Sequence, residues 1–170
     1  MEIDKSNTRA IAKGEKELKN SSTMRQIILD FPKQFNVGVK AAQRVFLKPG
    51  ALQYTPENII ICGLGGSGLP GNILVSIRPL DVFSHKNYGL PLQAKTGSLI
   101  ICISYSGNTE ETLSAFAEAL NRKLPVITIT TGGKLAKLSQ KYHVPCVKLP
   151  ESSVPPRLAL GQMFGALLQV

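Results

Sequence analysis

Apolar positions in this chain come in two rhythms, short unbroken runs and stretches recurring every three to four residues, and the two alternate. Residues 1–22 carry Lys, Asn, Ser and Glu with no sustained apolar face, which predicts a flexible N-terminal arm. From residue 23 helical spacing begins with Met24, Ile27, Ile28 and Phe31, is broken at Asp30-Phe31-Pro32, and resumes with Phe35, Val39, Ala42, Val45 and Phe46. Pro49-Gly50 marks a turn. After it, strands are expected at Asn58–Gly63, Val82–Ser84, Ser98–Ser104, Pro125–Thr130 and Val144–Leu149. Helices are expected from the Gly65-Gly66-Ser67-Gly68 loop to about Ser76, over Thr109–Arg122, and over Lys134–Tyr142.

The strand runs are continuously apolar, as strands are when helices cover both sheet faces. The expected fold is therefore α/β: a five-stranded parallel sheet with helices on both faces, doubly wound in the flavodoxin-like manner. Ligands of such sheets sit beyond the strand C-termini, where the winding reverses. Residues 23–153 form the expected domain. Val154–Val170 holds Pro155-Pro156-Arg157 and then an apolar helix without a glycine cap or polar tail, which reads as the start of a connection to a further domain.

Composition narrows the class. With 170 residues, 43% hydrophobic and 18% charged, the chain suits one folded domain. No apolar run reaches the ~20 residues of a membrane span, and the polar N-terminus lacks a secretory signal, so a cytoplasmic protein without membrane contact is expected. Cys62, Cys102 and Cys146 lie in strand-like runs without a CxxC pair, which suits buried reduced thiols better than a metal site. The net charge of +9 raises the question of nucleic acid. The basic residues of the first fifty positions are interleaved with Glu2, Asp4, Glu15, Glu17 and Asp30, and there is no Trp, so attraction for small anionic metabolites is the better reading.

The chemistry concentrates in two loops. Ser104-Tyr105-Ser106-Gly107-Asn108-Thr109-Glu110-Glu111-Thr112 joins a strand to a helix. A helix N-terminus offers unpaired N–H groups and partial positive charge, hydroxyls add donors without fixed charge, and Gly107 would let the backbone approach an anion. Asn108 or Thr109 can cap the helix, and Glu110 and Glu111 should point away from a bound phosphate. Cys62-Gly63-Leu64-Gly65-Gly66-Ser67-Gly68 is the second loop, with Gly65 and Gly66 exposing backbone donors and Ser67 a hydroxyl. It matches a GxGxxG dinucleotide fingerprint, but the next strand ends Phe83-Ser84-His85-Lys86-Asn87 instead of at an acidic ribose ligand. No P-loop is present, and no nucleotide or metal cofactor is expected.

The two loops together resemble the sugar isomerase (SIS) domain. Asn87-Tyr88-Gly89-Leu90-Pro91, Thr131-Gly132-Gly133-Lys134-Leu135 and Val154-Pro155-Pro156-Arg157-Leu158-Ala159-Leu160-Gly161 narrow the resemblance to the first half of the bifunctional phosphoglucose/phosphomannose isomerases. That resemblance implies that Ser67, Ser104, Ser106 and Thr109 hold a substrate phosphate and that Arg157 stabilises an enediolate. It implies aldose–ketose isomerisation of glucose 6-phosphate and mannose 6-phosphate to fructose 6-phosphate, in a homodimer. The family's Glu base and ring-opening His sit in NENAK-like and ELNHNE-like segments that this sequence does not contain. His85 and His143 read as structural, and Glu151 has no family counterpart as a base. The chain alone is thus expected to bind phosphosugar without turning it over. A phosphosugar-sensing regulatory module is the alternative.

Overall fold

The structure, a computed structural model, describes residues 24–46, 55–77, 81–151 and 154–170. The expected arm and the Pro49-Gly50 turn lie outside them. Residues 24–29 are helical, Asp30 is a turn, and helix α1 runs Phe31–Phe46 with Pro32 in its first turn, where proline is tolerated. Strand β1 (Asn58–Cys62) passes through a single 3-10 turn, Gly65–Gly68, into α2 (Leu69–Ile77). Then follow β2 (Val82–His85), β3 (Ser98–Ile103), α3 (Glu110–Asn121), β4 (Val126–Thr130), α4 (Gly133–Lys141) and β5 (Cys146–Lys148). A second 3-10 turn, Pro156–Leu158, leads into α5 (Leu160–Gln169).

The five strands pair in parallel in the order β2-β1-β3-β4-β5. Alternate residues of each strand feed two separate cores. Ile61, Ile101, Ile103, Ile127, Ile129 and Val147 pack against α1, α2 and α5, through Ala41, Ala42, Leu74, Val75, Met163 and Ala166. Ile60, Cys62, Ile100, Cys102 and Val126 pack against α3 and α4, through Ala115, Phe116, Ala119, Leu135 and Leu138. Burial on both faces is why the strands read as unbroken apolar runs. It also sets the chemistry: β1 hands the chain to one face and β3, its hydrogen-bonded neighbour, to the other. The loops after β1 and β3 therefore border a crevice at the switch in winding.

The last helix packs on this domain, with much of its apolar face buried against α1 and the sheet. Gly161, Gln162, Met163, Gly165, Ala166 and Leu167 of α5 are buried. A Cβ built on Gly38 of α1 would stand 2.0 Å from the Gln162 carbonyl oxygen, and one built on Gly165 would stand 2.3 Å from that of Phe35. The two helices touch backbone to backbone, and the core runs on through α5.

Candidate functional site

Ser104 follows the last residue of β3 and is 1% exposed, while Ser67 lies in the 3-10 turn after β1 and is 8% exposed. Burial of polar side chains demands partners, and both have them. The Ser67 Oγ accepts the backbone N–H of Tyr105 at 3.1 Å, which ties the first loop to the second. The Ser104 Oγ accepts the Gly107 N–H at 3.1 Å and lies 2.9 Å from the Thr109 Oγ1. Ser106, exposed at the rim, accepts the Asn108 N–H at 3.3 Å. An oxygen that already accepts a backbone N–H keeps its own O–H to offer elsewhere. The loops thus gather hydroxyls at the start of α3.

Capping differs from the sequence-based expectation. Thr109 stands at the N-cap of α3 with extended backbone but makes no side-chain cap, because its hydroxyl is turned to Ser104. Asn108 does not cap α3 either. Its Oδ1 accepts the Lys134 N–H of α4 at 3.1 Å, and its Nδ2 donates to the Ser106 carbonyl at 3.2 Å. With neither residue capping, no side chain among the described residues bonds to the first-turn N–H groups of α3, the donors an anion would take.

Gly107 also makes a contact between loops that its sequence position did not show. It has φ +69°, and a Cβ there would stand 1.9 Å from the Gly132 carbonyl oxygen. Its N–H is engaged by Ser104. The glycine lets the loop after β3 lie on the loop after β4, where Thr131 donates both its N–H (3.1 Å) and its hydroxyl (2.6 Å) to the Tyr105 carbonyl. Sequence reasoning missed this buttress because Thr131 lies 26 positions from its partner. Gly65, by contrast, has φ +56° and nothing within 4 Å of where a Cβ would be, so the tip of the first loop is open. A Cβ on Gly66 would stand 3.1 Å from the Pro156 carbonyl oxygen and 3.2 Å from the Arg157 Cα. The second 3-10 turn therefore rests on the first, and the Arg157 backbone stands beside the loop after β1. Its side chain is exposed and, among the described residues, enters no ion pair.

Other candidates fall elsewhere. The His85 Nε2 lies 3.4 Å from the Tyr88 carbonyl oxygen at the end of β2, and His143 occupies a turn with φ +55°. Glu151 lines an open cleft of about 600 Å³ with Lys40, Arg44 and Lys148, at the β5 edge. Lys86 was not singled out by sequence. Its Cε would lie 3.4 Å from a Gly68 Cβ, beside the first loop. The three cysteines are free, and Cys62 and Cys102 face each other across β1 and β3. Hydrogen bonding with Cys62 and then burial push the Cys102 thiol well up from its ordinary value, which keeps it protonated. No described group of His, Cys, Asp and Glu could hold a metal ion, and no described helix is long and apolar enough to cross a membrane.

No protein-family model matches the chain. A bifunctional phosphoglucose/phosphomannose isomerase of Caldicellulosiruptor bescii is 40% identical over 118 residues, 67% of this chain and 34% of that protein. One from Pyrobaculum calidifontis is 37% identical over 139 residues, 78% of this chain and 44% of that protein. The chain belongs to the family of the bifunctional phosphoglucose/phosphomannose isomerases. It spans between a third and a half of the length of these family members. A tagatose-6-phosphate ketose/aldose isomerase from Escherichia coli shares the fold, with TM-score 0.54 and 18% identity over 84% of this chain and 45% of that one. So does Vibrio vulnificus NanR, solved with ManNAc-6P, with TM-score 0.52 and 19% identity over 87% of this chain and 58% of that one. The likeness to these two structures shows that the chain has their fold.

Proposed function

We propose that this chain binds a phosphorylated hexose in the crevice between the loops after β1 and β3. In this reading it contributes that site to a glucose-6-phosphate/mannose-6-phosphate isomerase. The observation that carries the reading is a helix whose own N-cap threonine is turned away from capping it. The freed N–H groups of α3 and the hydroxyls of Ser67, Ser104, Ser106 and Thr109 then meet one phosphate. Such a site binds through hydrogen bonds and the helix dipole, with no metal needed to neutralise the anion.

Isomerisation moves a carbonyl between C1 and C2. A base removes the C2 proton of the open-chain aldose, the electron pair shifts to give a cis-enediolate, the hydroxyl proton passes from O2 to O1, and the carbon-bound proton returns at C1. In this reading Arg157, whose Cα lies beside Gly66, supplies through its guanidinium a permanent cation for the oxyanion that develops during that transfer. This sequence lacks the NENAK-like and ELNHNE-like segments where the family carries its Glu base and ring-opening His. Turnover is therefore the work of a longer protein, a cytoplasmic homodimer in this reading, acting in central sugar-phosphate metabolism. A sensing module built on the same pocket would bind the ligand equally and never turn it over.

Fructose 6-phosphate should raise the melting temperature of the chain, whereas free fructose at equal concentration should not. The Ser104→Ala/Ser106→Ala variant should lose that shift. A shift that survives in this folded variant places the phosphate elsewhere and ends the proposal. Isomerase activity assayed on a longer protein containing this chain separates enzyme from sensor.

A further inference from the structure

A phosphate at the start of α3 has an awkward neighbour. Glu110 is the first residue of that helix and Glu111 the second, so two carboxylates stand where a dianion is to bind. Both favour the helix dipole while the site is empty, and both oppose the phosphate once it is filled. The connection between β2 and β3 deals with the first of them. The Tyr88 hydroxyl donates to the Glu110 Oε2 at 3.2 Å. The Gly89 N–H donates to the Ser114 Oγ at 3.1 Å, and the Leu90 N–H to the Glu118 Oε2 at 2.9 Å. Arg122 closes the series, its Nη1 meeting the Glu118 Oε1 at 3.2 Å and its Nη2 donating to the Ala94 carbonyl.

Residues 110, 114, 118 and 122 are spaced by four, so they share one face of α3. The connection from Tyr88 to Ala94 is strapped along that face, with Leu90 and Ala94 packed into the core beside Phe116. Gly89, at φ +66°, takes the left-handed backbone that favours glycine, and a Cβ there would stand 2.5 Å from the Glu118 Oε2. The phosphate loop touches α3 at its end, through Ser104 and Thr109, and not along this face. Holding Glu110 to the strap therefore turns its charge to the flank of the helix.

We infer that Tyr88 is a positioning residue for phosphosugar binding, its phenol holding the Glu110 carboxylate to the flank of α3 and away from the bound phosphate. The inference rests on the phosphosugar reading given above. Glu110, and after it Glu111, push the Tyr88 hydroxyl up from its ordinary value, so the phenol remains a donor across the working range of pH. No other described side chain bonds to the Glu110 carboxylate, so removing the phenol frees it to swing toward the helix axis.

The experiment is a double-mutant cycle on the whole chain, with fructose 6-phosphate affinity measured by calorimetry. Tyr88→Phe keeps the ring and removes only the donor. It should weaken binding by about two- to fivefold, the range of an exposed charge–charge interaction, and the loss should shrink as salt is added. In the Glu110→Gln background the same Tyr88→Phe change should have no effect, because no carboxylate remains to be held. Equal weakening in both backgrounds would make Tyr88 a packing residue and overturn the inference, as would an unchanged affinity in the wild-type background. Absence of binding by the wild-type chain would instead remove the phosphosugar reading and this inference with it.

Discussion

Glycine and serine shape the candidate site at the residue scale, and they do so for different reasons. Ser67 and Ser104 are fixed by accepting backbone N–H groups, so their hydroxyls are held in place before any ligand arrives. Gly107 sets the path of the loop that carries them. Its φ of +69° alone costs an ordinary residue about 1–2 kcal/mol, and the 1.9 Å approach to the Gly132 carbonyl oxygen leaves no room for a methyl group. Because that neighbour is backbone, no rotamer change relieves the clash. Gly107→Ala should therefore lower stability by at least about 2 kcal/mol in urea unfolding, and phosphosugar affinity should fall with it. A variant of wild-type stability would show that the two loops are not in contact.

At the scale of elements, the pair α1 and α5 decides how far the domain extends. Alanine is normally preferred to glycine inside a helix by about 1 kcal/mol, so Gly38→Ala would be stabilising on propensity alone. Here the added methyl would meet the Gln162 carbonyl oxygen at 2.0 Å and the Ala166 nitrogen at 2.7 Å. Overpacking of this kind costs about 1–3 kcal/mol and outweighs the propensity gain. Gly38→Ala should thus destabilise the chain by about 1–2 kcal/mol, while Asn36→Ala on the exposed side of α1 should stay within about 0.5 kcal/mol. Thermal unfolding of the two variants side by side checks the sign. This contact also marks the limit of what the sequence discloses. The strands were readable because burial on both faces leaves an unbroken apolar run, as in Ile59-Ile60-Ile61-Cys62. The position of Ser104, Ser106 and Thr109 between β3 and α3 was readable because strand end, hydroxyl cluster and helix start are neighbours along the chain. The packing of α5 on α1 was not readable: an apolar face does not say which partner it meets, and here Gly38 lies against the Gln162 carbonyl oxygen and Gly165 against that of Phe35, across more than 120 positions. The engagement of Asn108 with Lys134 and of Thr131 with Tyr105 was hidden for the same reason.

For the whole molecule, the question is whether binding at one end of the sheet is felt throughout. The crevice is built by β1 and β3, the central pair of the order β2-β1-β3-β4-β5, and each loop is tied to the next. Strand residues on one face pack on α3 and α4 and those on the other on α1, α2 and α5, so both helix layers share one sheet. Unfolding either layer would strip the sheet that holds the loops after β1 and β3 in register. A ligand that binds only the native state at 100 times its Kd adds about 2.7 kcal/mol to the free energy of unfolding, or about 100-fold in the population of open molecules. If the domain opens as one unit, amide hydrogen exchange at Ile60, Ile100 and Ile127 should slow by about 100-fold on adding fructose 6-phosphate at that concentration. The decisive amides are those of Met163 and Ala166. Slowing there by the same factor is expected, since α5 packs against the same core as the central strands and its first turn follows the segment resting on Gly66. Exchange in α5 that ignores the ligand while the strands respond would mean that this helix opens separately. The cooperative domain would then end near β5, and α5 would be an element docked onto it.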